Sequence, residues 1–165
     1  MESNVSQRAG FFRRLAAMVY DSLIAVAIGM LSALILIGIL TALFETNVLS
    51  KQGYEHVSEI MQQDWLYKLI VQAWVTFWVC AFFLWFWKNG GQTLGMRAWR
   101  IRIYNLNPDE PVGYGRLIIR LLSALGGLGT LLVLLDFRNK LALQDRLTRT
   151  EVLFLSAEEN HHRAW

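Results

Sequence analysis

A single cysteine, Cys80, is all the chain has, so no intramolecular disulfide can form. Its place inside an apolar run makes it an inert small hydrophobe. Histidine is scarce as well. His56 lies in an acidic stretch, and His161 and His162 lie in a polar tail. None has cysteine or carboxylate companions at metal-ligand spacing, so no metal site is expected. A phosphate-cradling glycine loop is missing too, because GGQTLG, residues 90–95, lacks the lysine and the strand-to-helix setting. These absences leave nothing to support an enzyme, and no cofactor is expected. Charge is the most telling shortage. Only 18% of the residues are charged, against 55% hydrophobic and 13% aromatic, and the mean hydropathy is +0.33. That excludes a solvated surface wrapped around one small core and points to an integral membrane protein.

Three apolar segments are present: Leu15–Phe44, Trp65–Trp87, and Leu117–Leu135, the last interrupted by Gly126, Gly127 and Gly129. Within the first, the 23 residues from Ser22 to Phe44 carry no charge, about the length one helix needs to cross a hydrocarbon core of roughly 30 Å. It is too long for the core of a signal peptide and no small-residue cleavage site follows it, so a retained helix is expected. The second segment carries Trp65 and Tyr67 near one end and Trp85 and Trp87 near the other. Rings placed this way anchor a helix at both interfaces, with Lys68 and Lys88 able to snorkel.

The charges between the segments are sorted by sign. Residues 1–14 hold Arg8, Arg13 and Arg14 against Glu2. Residues 45–64 hold Glu45, Glu55, Glu59 and Asp64 against Lys51, and residues 88–116 hold five bases against Asp109 and Glu110. Bases concentrate on the cytoplasmic side, which puts the N-terminus and the 88–116 loop inside and the 45–64 loop outside. The basic pI near 9.2 follows from the same bias, so no nucleic-acid partner is expected. Arg138, Lys140, Arg146 and Arg149 directly follow the third segment and ask for the inside again. A straight crossing would place them outside, whereas a helix broken at the glycines can enter and return, with its irregular backbone buried against protein. The re-entrant arrangement is favoured. The loop stretch MRAWRIRIYN alternates with period two, as a half-solvated strand does. NLNPDEP, with Pro108 and Pro111, then supplies a turn. A short hairpin at the cytoplasmic face is expected, its arginines near anionic headgroups.

RRLAAMVYD, residues 13–21, ends in Asp21, just before the uncharged run. Arg14 and Asp21 are seven residues apart and fall on nearly one helix face, which Ala25, Gly29 and Ser32 continue. Small residues there let another helix approach. A carboxylate exposed to lipid costs several kcal/mol on the order of the insertion scales, so Asp21 is expected to face protein and to have a partner. Arg14, Arg120 and the basic loop supply the cations. Arg14 itself would have to reach across two turns, about 10 Å, so a cation from another segment is the better candidate.

RRLAAMVYD with Arg14, Ala17 and Asp21, GQTLGMRAWRIRI after the second segment, and QDRLTRTEVL with Asp145 and Thr150 after the third resemble, in order, the RDD family of membrane proteins. The resemblance runs from about Gly10 to Leu153. It implies that Arg14, Asp21 and Asp145 are the signature residues, with Arg120, Thr150, Gln92 and Thr93 as supporting candidates. Two positions depart from the commoner pattern: Gln144 stands where histidine is frequent, and Arg149 where glycine is usual. The departure at Gln144 removes any proton relay through that histidine. For activity the resemblance implies transport, with sodium/proton antiport reported for some members.

The expected fold is an all-α membrane protein: two transmembrane helices, a third glycine-broken segment that re-enters or spans, and a short cytoplasmic hairpin-like loop. It would form one domain over residues 10–155 with polar tails at 1–9 and 156–165, in a bacterial inner membrane. Two functions stay open. One is cation/proton transport with Asp21 as ion or proton site. The other is a membrane adaptor in which Arg14, Asp21 and Asp145 form a buried polar lock. Besides the bilayer, the expected partners are a monovalent cation or proton and a second copy or another membrane protein, because three segments are too few to enclose a pathway. Gly29 would mark the face of a homodimer if nothing within the chain covers it.

Overall fold

The computed structural model describes residues 8–50, 56–107, 110, 112–136 and 138–162. They fall into two compact units, one of Met1–Leu23 with Phe82–Trp165 and one of Ile24–Ala81. Helix α1, Phe11–Glu45, and helix α3, Trp65–Asn89, are long and apolar enough to cross a membrane. Each runs through both units.

In the unit Ile24–Ala81, the buried positions of α1 are Gly29, Ser32, Leu36, Leu40 and Phe44. They recur every three or four residues and form one stripe. α3 covers that stripe. A Cβ at Gly29 would touch Val75 Cγ1 at 3.4 Å, the Trp74 indole N–H donates to the Ser32 carbonyl at 2.9 Å, and Tyr67 lies 5.5 Å from the Phe44 ring. The short helix α2, Val57–Gln63, adds Val57 and Ile60 to this core. The small-residue face of α1 around Gly29 thus packs on α3 of the same chain. The helix stops where Asn47 turns left-handed, with φ 56°, a conformation asparagine tolerates better than most residues.

The other unit gathers the ends of both long helices with the rest of the chain. After α3 come α4, Leu94–Ala98, and β1, Ile101–Asn105. Next is α5, Tyr114–Ser123, then a 3-10 segment, Leu125–Leu131, and α6, Leu132–Leu135. α7, Leu143–Thr148, β2, Thr150–Phe154, and α8, Ala157–His162, complete the chain. The second half of the period-two stretch is a strand, with Ile101 and Ile103 buried, whereas its first half belongs to α4 and the turn after it. Its partner is not the chain just beyond the prolines, however. β1 pairs antiparallel with β2, Ile101 facing Phe154, Ile103 facing Val152 and Asn105 facing Thr150. Alternation marks a strand but does not choose its mate: beyond the prolines the chain enters α5 at Tyr114, and TEVLF supplies the β-branched and aromatic residues a strand favours. The N-terminus adds to the far edge of β2, through a bridge between Arg8 and Leu153 and an Ala9 N–H to Val152 O bond of 2.8 Å. Within the expected polar tails, Arg8 and Ala9 pair with β2 and residues 157–162 are helical; residues 1–7 and 163–165 lie outside the described residues. Ala9, Ala17, Met96, Ile101, Ile103 and Val152 form the core of the unit, with Trp87 packed on it. Trp87 is partly buried against this core, whereas Trp65 and Trp85 are exposed.

The glycine-broken segment bends by 82° between Tyr114–Ser123 and Leu125–Leu135. Leu125, Gly126 and Gly127 have φ of 48°, 63° and 105°, left-handed values that glycine adopts without penalty. Gly129 is needed for a different reason. A Cβ there would lie 2.6 Å from both Gln144 Oε1 and the Ser123 carbonyl.

Candidate functional site

Asp145 is completely buried at the start of α7. Its Oδ2 accepts from Arg14 Nη1 at 2.6 Å and from the Ala142 N–H at 3.1 Å, while Arg120 Nη1 lies 2.8 Å from Oδ1. Arg14 and Asp145 are 131 residues apart in sequence and meet. The guanidinium of Arg14 does not hold the carboxylate with two parallel bonds. It spreads its fork, Nε donating to Ala9 O at 3.0 Å and Nη2 to Lys140 O at 3.1 Å. The second carboxylate oxygen is left to Arg120, whose Nη1 also donates to Thr150 Oγ1 at 2.6 Å. Thr150 continues to Thr148 Oγ1 at 2.8 Å, and Thr148 donates to the Gln144 carbonyl at 2.5 Å. One carboxylate thus holds two buried arginines, and the three residues together carry one net positive charge. Burial alone would push the Asp145 carboxyl up, but the charges of Arg120 and Arg14 and the Ala142 N–H outweigh it and hold it below the usual carboxylate range.

Asp21 belongs to a second cluster. Its Oδ2 accepts from the Thr93 hydroxyl at 2.5 Å and its Oδ1 from the Gly95 N–H at 2.9 Å. Thr93 also caps α4, accepting from the Met96 N–H at 3.2 Å. Among the described residues no lysine or arginine forms an ion pair with Asp21, so the expected cationic partner is replaced by a hydroxyl and a backbone amide. The reason is competition, since Arg14 and Arg120 are already committed to Asp145. Gln92 does not touch Asp21; its Nε2 donates to Ile101 O at 3.0 Å and to Asn160 Oδ1 at 3.1 Å. Thr93 and Gly95 come just after α3 ends at Asn89, so Asp21 lies level with the end of α3.

Several residues outside the sequence-based selection complete these clusters. Gly95 has no room for a side chain, because a Cβ would lie 2.8 Å from Asp21 Cγ and would collide with the Ala17 carbonyl. Thr93 and Gly95 of GQTLG are therefore the seat of Asp21. Arg116 clamps the end of α7, its Nε donating to Thr148 O at 2.8 Å and its Nη2 to Arg149 O at 2.9 Å and Asn105 Oδ1 at 2.9 Å. Gln144 Nε2 donates to Thr130 Oγ1 at 3.0 Å, and that hydroxyl reaches Met18 Sδ at 3.7 Å. The sequence signal for this region was the pair of departures at Gln144 and Arg149. Arg149 sits at φ 50°, ψ 48° as the C-cap of α7, a left-handed position that favours glycine. Among the described residues no group of histidine, cysteine and acidic side chains could hold a metal ion.

Two spanning helices, a bent third segment and arginines buried on an aspartate define a small helical integral membrane protein. The chain belongs to the RDD family, whose family model matches residues 8–149, a stretch that contains Arg14, Asp21 and Asp145. No curated protein and no solved structure matches it.

Proposed function

We propose that this chain is a non-transporting inner-membrane protein of structural or adaptor type, in which the signature residues form two locks on the first helix. The reading is carried by the use of every signature charge. Arg14 and Arg120 converge on the fully buried Asp145, and Asp21 is seated by the two donors of the Thr93–Gly95 turn. Donors aimed at a carboxylate are arranged for an anion, and a position level with the end of α3 differs from the midplane sites of secondary transporters. The first lock ties the start of α1 to α7, and the second ties it to the turn after α3. What they hold in place is the face built from Arg8–Ala9, β1 and β2.

The sheet also supports a topology. α1 and α3 return the chain to the side where it began, and β2 is hydrogen-bonded to β1 and to residues 8–9 on that side. The segment Tyr114–Leu135 then starts and ends on one side. With the positive-inside rule that side is the cytoplasm, and only the 45–64 loop lies outside.

A transport reading has one observation in its favour: the charge of Asp21 is not neutralised by any described arginine or lysine, so a proton or monovalent cation could supply the counter-charge. Reconstitution decides between the two. Proteoliposomes are loaded for sodium- and potassium-driven proton movement, with wild type and Asp21→Asn compared. The lock reading expects no cation-dependent flux from a folded wild type. Flux that disappears in Asp21→Asn overturns it in favour of exchange at Asp21.

A further inference from the structure

The bent segment has the polarity of a soluble helix turned inside out. On α5, Leu117 and Arg120 are buried, while Ile118, Ile119 and Leu122 face outward, Leu122 at 69% exposure. Past the bend, Gly129, Thr130 and Val133 are buried, while Leu125, Leu128 and Leu131 face outward, Leu128 at 66%. A row of large apolar side chains on both arms cannot face water at little cost. In a chain with two spanning helices, lipid is the partner it fits.

The depth follows from the apex. Gly127 packs on Met18, whose Sδ would be 3.3 Å from a Cβ there, and Thr130 Oγ1 is 3.7 Å from the same sulfur. Met18 precedes the uncharged run beginning at Ser22 by four residues, about 6 Å of helix. An apex reaching the bilayer midplane would have to travel roughly 15 Å inward from that boundary, about ten residues further along α1. The contact with Met18 leaves it at the headgroup level instead.

The geometry points to an interfacial wedge: α5 and Leu125–Leu135 lie in the headgroup–acyl boundary of the leaflet on the sheet side, their leucines in the outer acyl region and neither arm crossing to the midplane. This rests on the one-sided topology proposed above and adds the depth. A helix of this kind typically sinks about 5–10 Å into the boundary. Its insertion enlarges one leaflet only, so the protein is asymmetric in how it loads the membrane.

Spin labels on Leu122→Cys and Leu128→Cys, in a Cys80→Ala background and in phosphatidylcholine/phosphatidylglycerol vesicles, test this. Depth is read from the ratio of oxygen to nickel-chelate accessibility. Both labels are expected at shallow acyl depth, with similar ratios. A Leu128 label at the midplane overturns the wedge in favour of a deep re-entrant loop and leaves the lock reading untouched. Labels as open to the nickel chelate as an aqueous site overturn it as well. Ile119→Cys and Leu131→Cys, on the same outward faces, give the same reading if either first variant does not fold. A reporter at Trp165 active only outside the cell overturns the one-sided topology separately.

Discussion

Replacing Asp145 by asparagine keeps the shape of the side chain and removes the only anion among the described residues that Arg14 and Arg120 share. Both arginines are about 4% exposed and Asp145 is fully buried, so neither guanidinium can recover its lost counter-charge from water. Breaking a buried pair in this way costs about 3–5 kcal/mol, and here one substitution strands two cations. The corresponding fall in the thermal midpoint is on the order of 10 °C for a chain of this size. Intrinsic tryptophan fluorescence in detergent can follow the unfolding, with circular dichroism checking that the folded state is retained below the transition. The instructive control is the triple variant Arg14→Met, Asp145→Leu, Arg120→Met. Apolar replacement of a whole buried ionic group is often neutral or stabilising by about 1–4 kcal/mol, so the triple variant should be more stable than Asp145→Asn alone. Here the loss of the Arg14 bonds to Ala9 O and Lys140 O will offset part of that gain. An Asp145→Asn protein within about 1 kcal/mol of wild type, the scale of an exposed ion pair, would refute the lock.

Arg149→Gly should raise stability by about 1 kcal/mol, because the residue is left-handed and its carbonyl bonds to Leu106 N and Arg116 do not depend on its side chain; a lowered melting midpoint would count against this. Gly95→Ala should lower stability by about 1–3 kcal/mol or more, since the new methyl meets Asp21 and the Ala17 carbonyl; hydrogen exchange of the 93–98 amides should speed up with it. Acid stability should depend on Asp145. Its folded carboxyl titrates below the unfolded one, near 3.9, so its contribution is present above that value and is lost as pH falls through the lower folded value. Unfolding measured against pH should therefore show an acid limb that is flatter in Asp145→Asn, and an unchanged slope would argue that Asp145 does not titrate with folding.

The resemblance to the family named Arg14, Asp21 and Asp145, and the charge pattern sorted the loops, because both are written locally. Length and the absence of charge mark Ser22–Phe44 as a span wherever the rest of the chain goes, and period-two alternation marks Ile101–Asn105 as a strand. The pairing of Arg14 with Asp145 was also within reach, since both lie next to apolar segments expected on the same side. What stayed hidden were choices among competitors. The sequence offers Asp21 several arginines. Only the packed chain shows Asp145 taking two of them, with Asp21 left to the Thr93 hydroxyl and a backbone amide that no residue-by-residue reading displays.

Sequence by itself determined which stretches must leave water, which of the loops between them carry concentrated positive charge, and where the third segment must break. Those follow from hydrophobicity, charge and the freedom of glycine, which act over a few residues. Tertiary structure decided which strand β1 pairs with, that Trp87 packs against the core beside it, that Gly95 and Gly129 are required by close approach to Asp21 and Gln144, and that the bend lies beside Met18. Each of these joins residues far apart in the chain. Hydrogen-bond partners and packing contacts of that kind are settled by the whole fold at once, since every donor taken by one acceptor is withdrawn from the others.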